Sequence, residues 1–174
     1  MFSLQEVNRK TDEAPHAWED EASAEWPMLR VLAAARRLGQ DHIDDLYRVM
    51  GEARHERGEE LPGTPQLRSL AAEVGLAEGF VDAALEDLTT GKEVRAEHED
   101  IVGRVSAFGV PTLVLDGGAG RGIFGPVLTP VPTGEDAGEV FDHVAALVRR
   151  PDFYELKRTR DRRPDIGRCR EEPT

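Results

Sequence analysis

The stretch that most constrains this chain is Phe108-Gly109-Val110-Pro111-Thr112-Leu113-Val114-Leu115-Asp116, where a long helical pattern stops and a β-pattern starts across one proline. Pro111 pushes Val110 out of the helical region and removes a ladder donor. Gly109 is placed to end the preceding helix in a left-handed cap. The junction predicts a sharp helix-to-strand corner. Read from the residues alone, the proline suits the first position of a strand. The other reading is a cis X-Pro bond at a site, a minority state that needs support from elsewhere in the chain.

Upstream of the corner, Met1 to Val7 carries apolar residues at Phe2, Leu4 and Val7 and reads as a strand. Thr11 to Ala24 is acidic and reads as a loop or weak helix. Five helical segments follow. Trp26-Pro27 opens the first, with Gly39 as its stop; Asp41 caps the second, which ends at Gly58; Thr64-Pro65 opens the third, which runs to Gly75. A short helix holds Phe80, Ala84, Leu85 and Leu88 and ends before Gly91. The fifth runs from about Lys92 to Phe108, with Val94, His98, Ile101, Val102, Val105 and Phe108 on or near one face.

Beyond the corner, Leu113 to Leu115 and Gly122 to Leu128 read as a hairpin with a glycine-rich turn. Gly117-Gly118-Ala119-Gly120-Arg121-Gly122 joins two strands rather than a strand and a helix, so it is a turn and not a phosphate loop. Thr133-Gly134-Glu135-Asp136 resembles a capping box opening a helix with Val140, Phe141, Val144, Leu147 and Val148. Pro151 starts a last short helix, Asp152 to Lys157.

Charge and cysteine content remove several function classes. A formal net charge of −12 over 174 residues argues against nucleic acid and anionic membrane as partners. From Lys157 to Arg170 there is an excess of five positive charges, leaving −17 on the rest; that segment reads as a solvated tail, or as an arm for an anionic partner. No apolar run approaches the roughly 20 residues of a membrane span, and no basic-then-apolar leader opens the chain, so the expected location is cytoplasmic. Cys169 is the single cysteine, which excludes an internal disulfide or a Cys-x-x-Cys pair; its arginine neighbours favour the thiolate, and it reads as a tail thiol. His16, His42, His55, His98 and His143 are dispersed without ligand spacing, so no metal site is expected. No Gly-x-Ser-x-Gly elbow occurs.

The order of parts, a strand, a helical block, a Gly-Val-Pro-Thr corner, a hairpin and a final helix, resembles the DsbA family of thioredoxin-like proteins after their first βα unit. It is most similar to the actinobacterial mycothiol-dependent nitroreductase branch. Residues carrying the resemblance are Ser3-Leu4 with Asn8, Trp26-Pro27, Gly39, Leu46-Tyr47 with Met50-Gly51, His98, and Gly109-Val110-Pro111-Thr112. The most specific stretches are Phe124-Gly125-Pro126-Val127-Leu128, Pro132-x-Gly134-Glu135-x-Ala137-Gly138 and Phe153-x-Glu155-Leu156-Lys157-Arg158-Thr159-Arg160.

The resemblance implies an α/β fold, a thioredoxin-like sheet of DsbA type with a helical insertion and without its first βα unit. Residues 1–10 and 109–158 then form an incomplete thioredoxin-like domain, 11–108 the insertion, and 159–174 a basic disordered tail. It implies a cis Pro111, with the Val110 backbone turned toward a substrate-binding groove that Asn8, Trp26, His98 and Phe124 adjoin. From the residues alone, Asn8 reads equally as a turn residue, Trp26 as a core residue at a helix entry, and His98 as a core histidine. The family's Cys-x-x-Cys has no counterpart here, so no catalytic residue is assigned.

Three functions stay open. The chain belongs to a longer thiol-dependent oxidoreductase, acting with mycothiol or another low-molecular-weight thiol on thiol or disulfide substrates; or it is a non-catalytic binding module whose open sheet takes a strand from a partner or from a second copy in a homodimer; or it is a relative of the glutathione-dependent isomerases of the same fold.

Overall fold

The computed structural model describes residues 1–9, 14–20, 23–60, 63–115 and 122–159. They are mostly helical, with one two-stranded antiparallel sheet among the described residues. The chain divides into two compact units, and the division falls between His98 and Glu99.

In the first unit α1 covers Leu4–Val7, α2 Glu25–Leu38, α3 Gln40–Gly51, α4 Thr64–Glu73 and α5 Phe80–Glu86, and α6, Leu88–Val105, begins there. Its core packs Val31, Leu32, Ala34 and Ala35 of α2 against Leu46, Val49 and Met50 of α3, Leu67 and Leu70 of α4, and Val81 and Ala84 of α5, while Leu29 and Ala33 meet Val94 of α6 in a second cluster. The alanines at 33, 34 and 35 leave room for close helix approach while leucines fill the space. Burying a leucine such as Leu46 contributes about 1.5–3 kcal/mol.

Gly39 makes the α2–α3 reversal in a single residue: its φ of 145° lies where side chains are strained. Arg30 locks the α5–α6 joint, donating to the carbonyls of Leu85 and Asp87 at 2.7 and 3.0 Å and to Thr90 Oγ1 at 3.0 Å.

The strand expected over Met1–Val7 is a correction: Leu4–Val7 is a helical turn. Ser3 is its N-cap, with Oγ accepting the Glu6 N–H at 3.1 Å. Ser3-x-x-Glu6 is half of a capping box, a helix-start signal that outweighs the alternation of Phe2 and Leu4. Other element ends move as well. Gly39, not Asp41, is the N-cap of α3, and that helix runs on into a π-helical turn over Glu52–Glu56 before Gly58. Gly63 rather than Thr64 is the N-cap of α4, and Gly91 lies inside α6 instead of ending a helix. There a Cβ would sit 3.3 Å from Trp26 Cζ2, so the glycine makes room for the indole.

In the second unit α6 ends at Val105, and the left-handed residue is Ser106, with φ 55°, rather than Gly109. Strand β1, Thr112–Leu113, pairs with β2, Ile123–Phe124, in the register Thr112 to Phe124 and Leu113 to Ile123. The hairpin turn, 116–121, lies outside the described residues. Helix α7, Gly134–Val148, follows Thr133 as N-cap, although the threonine side chain makes no cap bond. The expected helix from Asp152 to Lys157 is a turn at Pro151–Asp152 followed by irregular chain. Tyr154 and Leu156 are exposed, and six residues without a face to bury do not hold a helix. The basic segment from Arg160 on lies outside the described residues.

Candidate functional site

Three of the six residues singled out from the sequence, Asn8, Trp26 and His98, belong to the first unit; Val110, Pro111 and Phe124 belong to the second.

His98 lies on α6 one turn beyond Val94 and is 6% exposed. Its Nδ1 accepts the Ser3 main-chain N–H at 3.2 Å, and the Phe2 ring packs at 5.2 Å between centroids. An accepting Nδ1 carries no proton, so the neutral imidazole keeps its proton on Nε2. Asn8 is exposed and caps α1, its N–H donating to the Leu4 carbonyl at 3.0 Å, which is a turn role. Trp26 packs beside Leu29, Ala33 and Val94 and takes its main-chain partner from Ser23 Oγ at 3.0 Å.

A strap over residues 14–20 lies against α1 and α6 of this unit. Its anchor is Glu6, whose carboxylate accepts from His16 Nδ1 at 2.8 Å and from the Ala17 N–H at 3.0 Å, with Arg9 Nε at 3.4 Å. Burial pushes the Glu6 carboxyl up, but the Ala17 and His16 hydrogen bonds and the nearby His16 and Arg9 charges outweigh it and hold the group below its ordinary range. Trp18 stacks on His16 at 4.6 Å and carries the Arg95 guanidinium 4.6 Å from its ring centroid. Gln5 joins the strap to α2, donating to Asp20 Oδ2 at 2.6 Å through Nε2 and to Glu25 Oε2 at 3.1 Å through its main chain. The second Glu25 oxygen is buried without a hydrogen-bond partner among the described residues. The sequence does not point to this network, because apart from the neighbouring Glu6–Arg9 and His16–Trp18 pairs its contacts join residues ten or more positions apart.

In the second unit the Val110–Pro111 peptide is cis, as are Gly125–Pro126 and Thr129–Pro130. Around the corner the chain is pinned on both sides. Thr112 Oγ1 donates to the Gly109 carbonyl at 2.6 Å, and the Gly125 N–H donates to the Pro111 carbonyl at 2.9 Å. Val110 is 47% exposed, and its main-chain N–H and C=O have no hydrogen-bond partner among the described residues. Phe124 stacks on Phe108 with centroids 5.4 Å apart, and both rings are exposed. Phe108 had only the helical stripe to recommend it; its ring partner lies 16 positions on.

Among the described residues no group of three or more His, Cys, Asp or Glu side chains could hold a metal ion, and no helix is long and apolar enough to cross a membrane.

A family model described as Rv2466c-like, mycothiol-dependent nitroreductase Rv2466c, matches residues 1–158. The chain is also 36% identical over 158 residues to the uncharacterized protein Rv2286c of Mycobacterium tuberculosis, a match covering 91% of this chain and 66% of that protein. The chain thus spans just under two thirds of the length of that relative.

Proposed function

The chain belongs to the Rv2466c-like family, and on that footing we propose that it serves mycothiol-dependent oxidoreductase chemistry, with a low-molecular-weight thiol recognised at the Val110–Pro111 corner. The hairpin then belongs to the sheet, and α7 to the helices, of a DsbA-type thioredoxin-like domain, in a cytoplasmic protein acting on a thiol or disulfide substrate.

One observation carries the reading. Val110, an exposed residue, offers one main-chain donor and one acceptor, unpaired among the described residues and bracketed by two pinned neighbours. That pair fits the amide of a cysteinyl thiol, which docks as an added strand does. The bound thiol supplies the reducing electrons; the residues of this chain hold and orient it. No described residue is assigned the attacking thiolate, and Cys169 lies outside the described residues. Asn8, Trp26 and His98 already have structural roles as helix cap, core filler and Ser3 partner, so the weight of the proposal rests on Val110 and Pro111.

The test is a titration of isotope-labelled protein with mycothiol, followed at the main-chain amides. Shifts should concentrate at Gly109, Val110 and Thr112, and weaken in Pro111→Ala. Shifts absent at millimolar thiol, or confined to α3 and α4, would overturn the assignment.

A second reading, a strand-accepting module or homodimer, draws on a different observation: Val127, Leu128, Val131 and Phe141 of the same unit are exposed. Sedimentation then shows concentration-dependent association at micromolar protein, whereas a monomer across that range removes this reading.

A further inference from the structure

We infer that Thr112 is the positioning residue of the corner: its hydroxyl fixes the plane of the Gly109–Val110 peptide and so aims the Val110 N–H at the ligand. The inference rests on the Val110–Pro111 corner proposed above and names what sets the direction of its donor.

Thr112 opens β1, and both branches of its side chain are committed. Oγ1 donates to the Gly109 carbonyl at 2.6 Å. Cγ2 lies over Gly122, where an added Cβ would stand only 2.5 Å from it, so Gly122 has no side chain to compete for that space. Gly122 is in turn held by its N–H, which donates to the Val105 carbonyl at 3.0 Å. With the methyl lodged there, the staggered rotamer that carries the hydroxyl to Gly109 is the one the site selects.

The Gly109–Val110 peptide is trans, so its carbonyl and its N–H point in opposite directions. Holding the Gly109 oxygen toward Thr112 turns the Val110 N–H away from it. Without that bond little else fixes the plane, because glycine accepts either orientation of the peptide that follows it and the Val110 N–H has no partner among the described residues. A flipped plane presents a carbonyl in place of the donor, so a ligand that needs the donor binds only the unflipped fraction. A carbonyl that accepts a hydrogen bond also makes the N–H of its own peptide a stronger donor. Thr112 thus acts through Val110.

The test compares mycothiol titrations of isotope-labelled wild type, Thr112→Val, Thr112→Ser and Thr112→Ala, followed at the Gly109 carbonyl and the Val110 amide. Thr112→Val keeps the shape and removes the hydroxyl; it should weaken mycothiol roughly two- to tenfold, the worth of one hydrogen bond. In the unliganded variant the Gly109 carbonyl signal should move upfield, and the Val110 amide should broaden or double as the peptide samples both orientations. Thr112→Ser should retain wild-type affinity and spectra, which a purely structural role of the threonine methyl would not allow. If Thr112→Val perturbs the hairpin, the pair Thr112→Ser and Thr112→Ala, both without Cγ2, isolates the hydroxyl. Unchanged affinity and unchanged Val110 signals in Thr112→Val overturn the inference, as does a Thr112→Ser variant no better than Thr112→Ala. A wild type that does not respond to mycothiol removes the thiol corner instead; the unliganded Gly109 and Val110 spectra then decide the role of Thr112 on their own.

Discussion

Ser3 donates its main-chain N–H to Nδ1 of His98 at 3.2 Å, across 95 residues of sequence and inside the first unit. Both residues are buried, so neither group can turn to water. His98→Ala leaves the Ser3 N–H without its acceptor, at a cost of about 1–3 kcal/mol, to which the cavity adds. His98→Asn keeps an acceptor near the Nδ1 position and should recover part of the loss. Urea unfolding curves of the two variants check this; equal midpoints for wild type and His98→Ala would sink it.

Glu6 ties His16, Ala17 and Arg9 to one carboxylate, so strap docking depends on its charge. Its folded-state titration is displaced downward from 4.5. The stabilisation is therefore present above that value and lost as pH falls through the lower folded one. The chain's two tryptophans, Trp18 and Trp26, lie on the strap and beside it, with ring centroids 6.1 Å apart. Intrinsic fluorescence should therefore report strap release on acidification below about pH 4.5. Glu6→Gln should show the released spectrum already at neutral pH; an unchanged neutral spectrum with the acid transition retained would point to another group.

At the corner, two glycines differ in what an added methyl would meet. At Gly109 it would press on the Phe124 ring at 3.0 Å, which can slide; at Gly122 it would lie 2.5 Å from Thr112 Cγ2 and 3.3 Å from the Val105 carbonyl, part of the fixed main chain. Gly122→Ala should therefore cost more than Gly109→Ala, on the order of 1–3 kcal/mol for overpacking. Thr112→Ser removes the offending Cγ2 and should restore part of the loss in the double variant. Strictly additive thermal shifts in that cycle would contradict the geometry.

What could be read in advance follows from how local each determinant is. Pro27, Gly39 and Pro65 mark helix ends by their own backbone chemistry, and the hairpin followed from two short apolar runs about a glycine-rich segment. In the first turn Phe2 and Leu4 alternate like a strand, while the decisive signal is Ser3 with Glu6. The end of α6 is not legible because the left-handed position is taken by Ser106, a residue that seldom adopts it, and not by the nearby glycine. For the candidate site, Val110 and Pro111 are legible as a proline corner, whereas Phe108 meets the Phe124 ring only through the fold. Glu6, His16, Trp18 and Arg95 meet through the fold alone.

Arg30 and Arg37 both reach from α2 to the α5–α6 joint, and the one with fewer ion pairs should matter more. Arg37 meets Asp87 at 2.6 Å and Glu93 at 2.7 Å, but all three side chains are more than a third exposed, where such pairs contribute about 0–1 kcal/mol. Arg30 is half-buried and satisfies the Leu85 and Asp87 carbonyls and Thr90 Oγ1, the last of which is fully buried. Truncating it leaves the Leu85 carbonyl and Thr90 Oγ1 without their donor, the Asp87 carbonyl still accepting from Thr90, and removes the aliphatic stem beside Gly91, where a Cβ would lie 3.8 Å from its Cδ. Arg30→Ala should lower stability by about 2 kcal/mol or more, and Arg37→Ala by less than about 1 kcal/mol with most of that gone in 1 M salt. Guanidinium chloride confounds the comparison by screening charge, so urea with and without added salt is the measurement. A larger loss for Arg37→Ala at high salt would mean that exposed charge, and not carbonyl satisfaction, holds the joint.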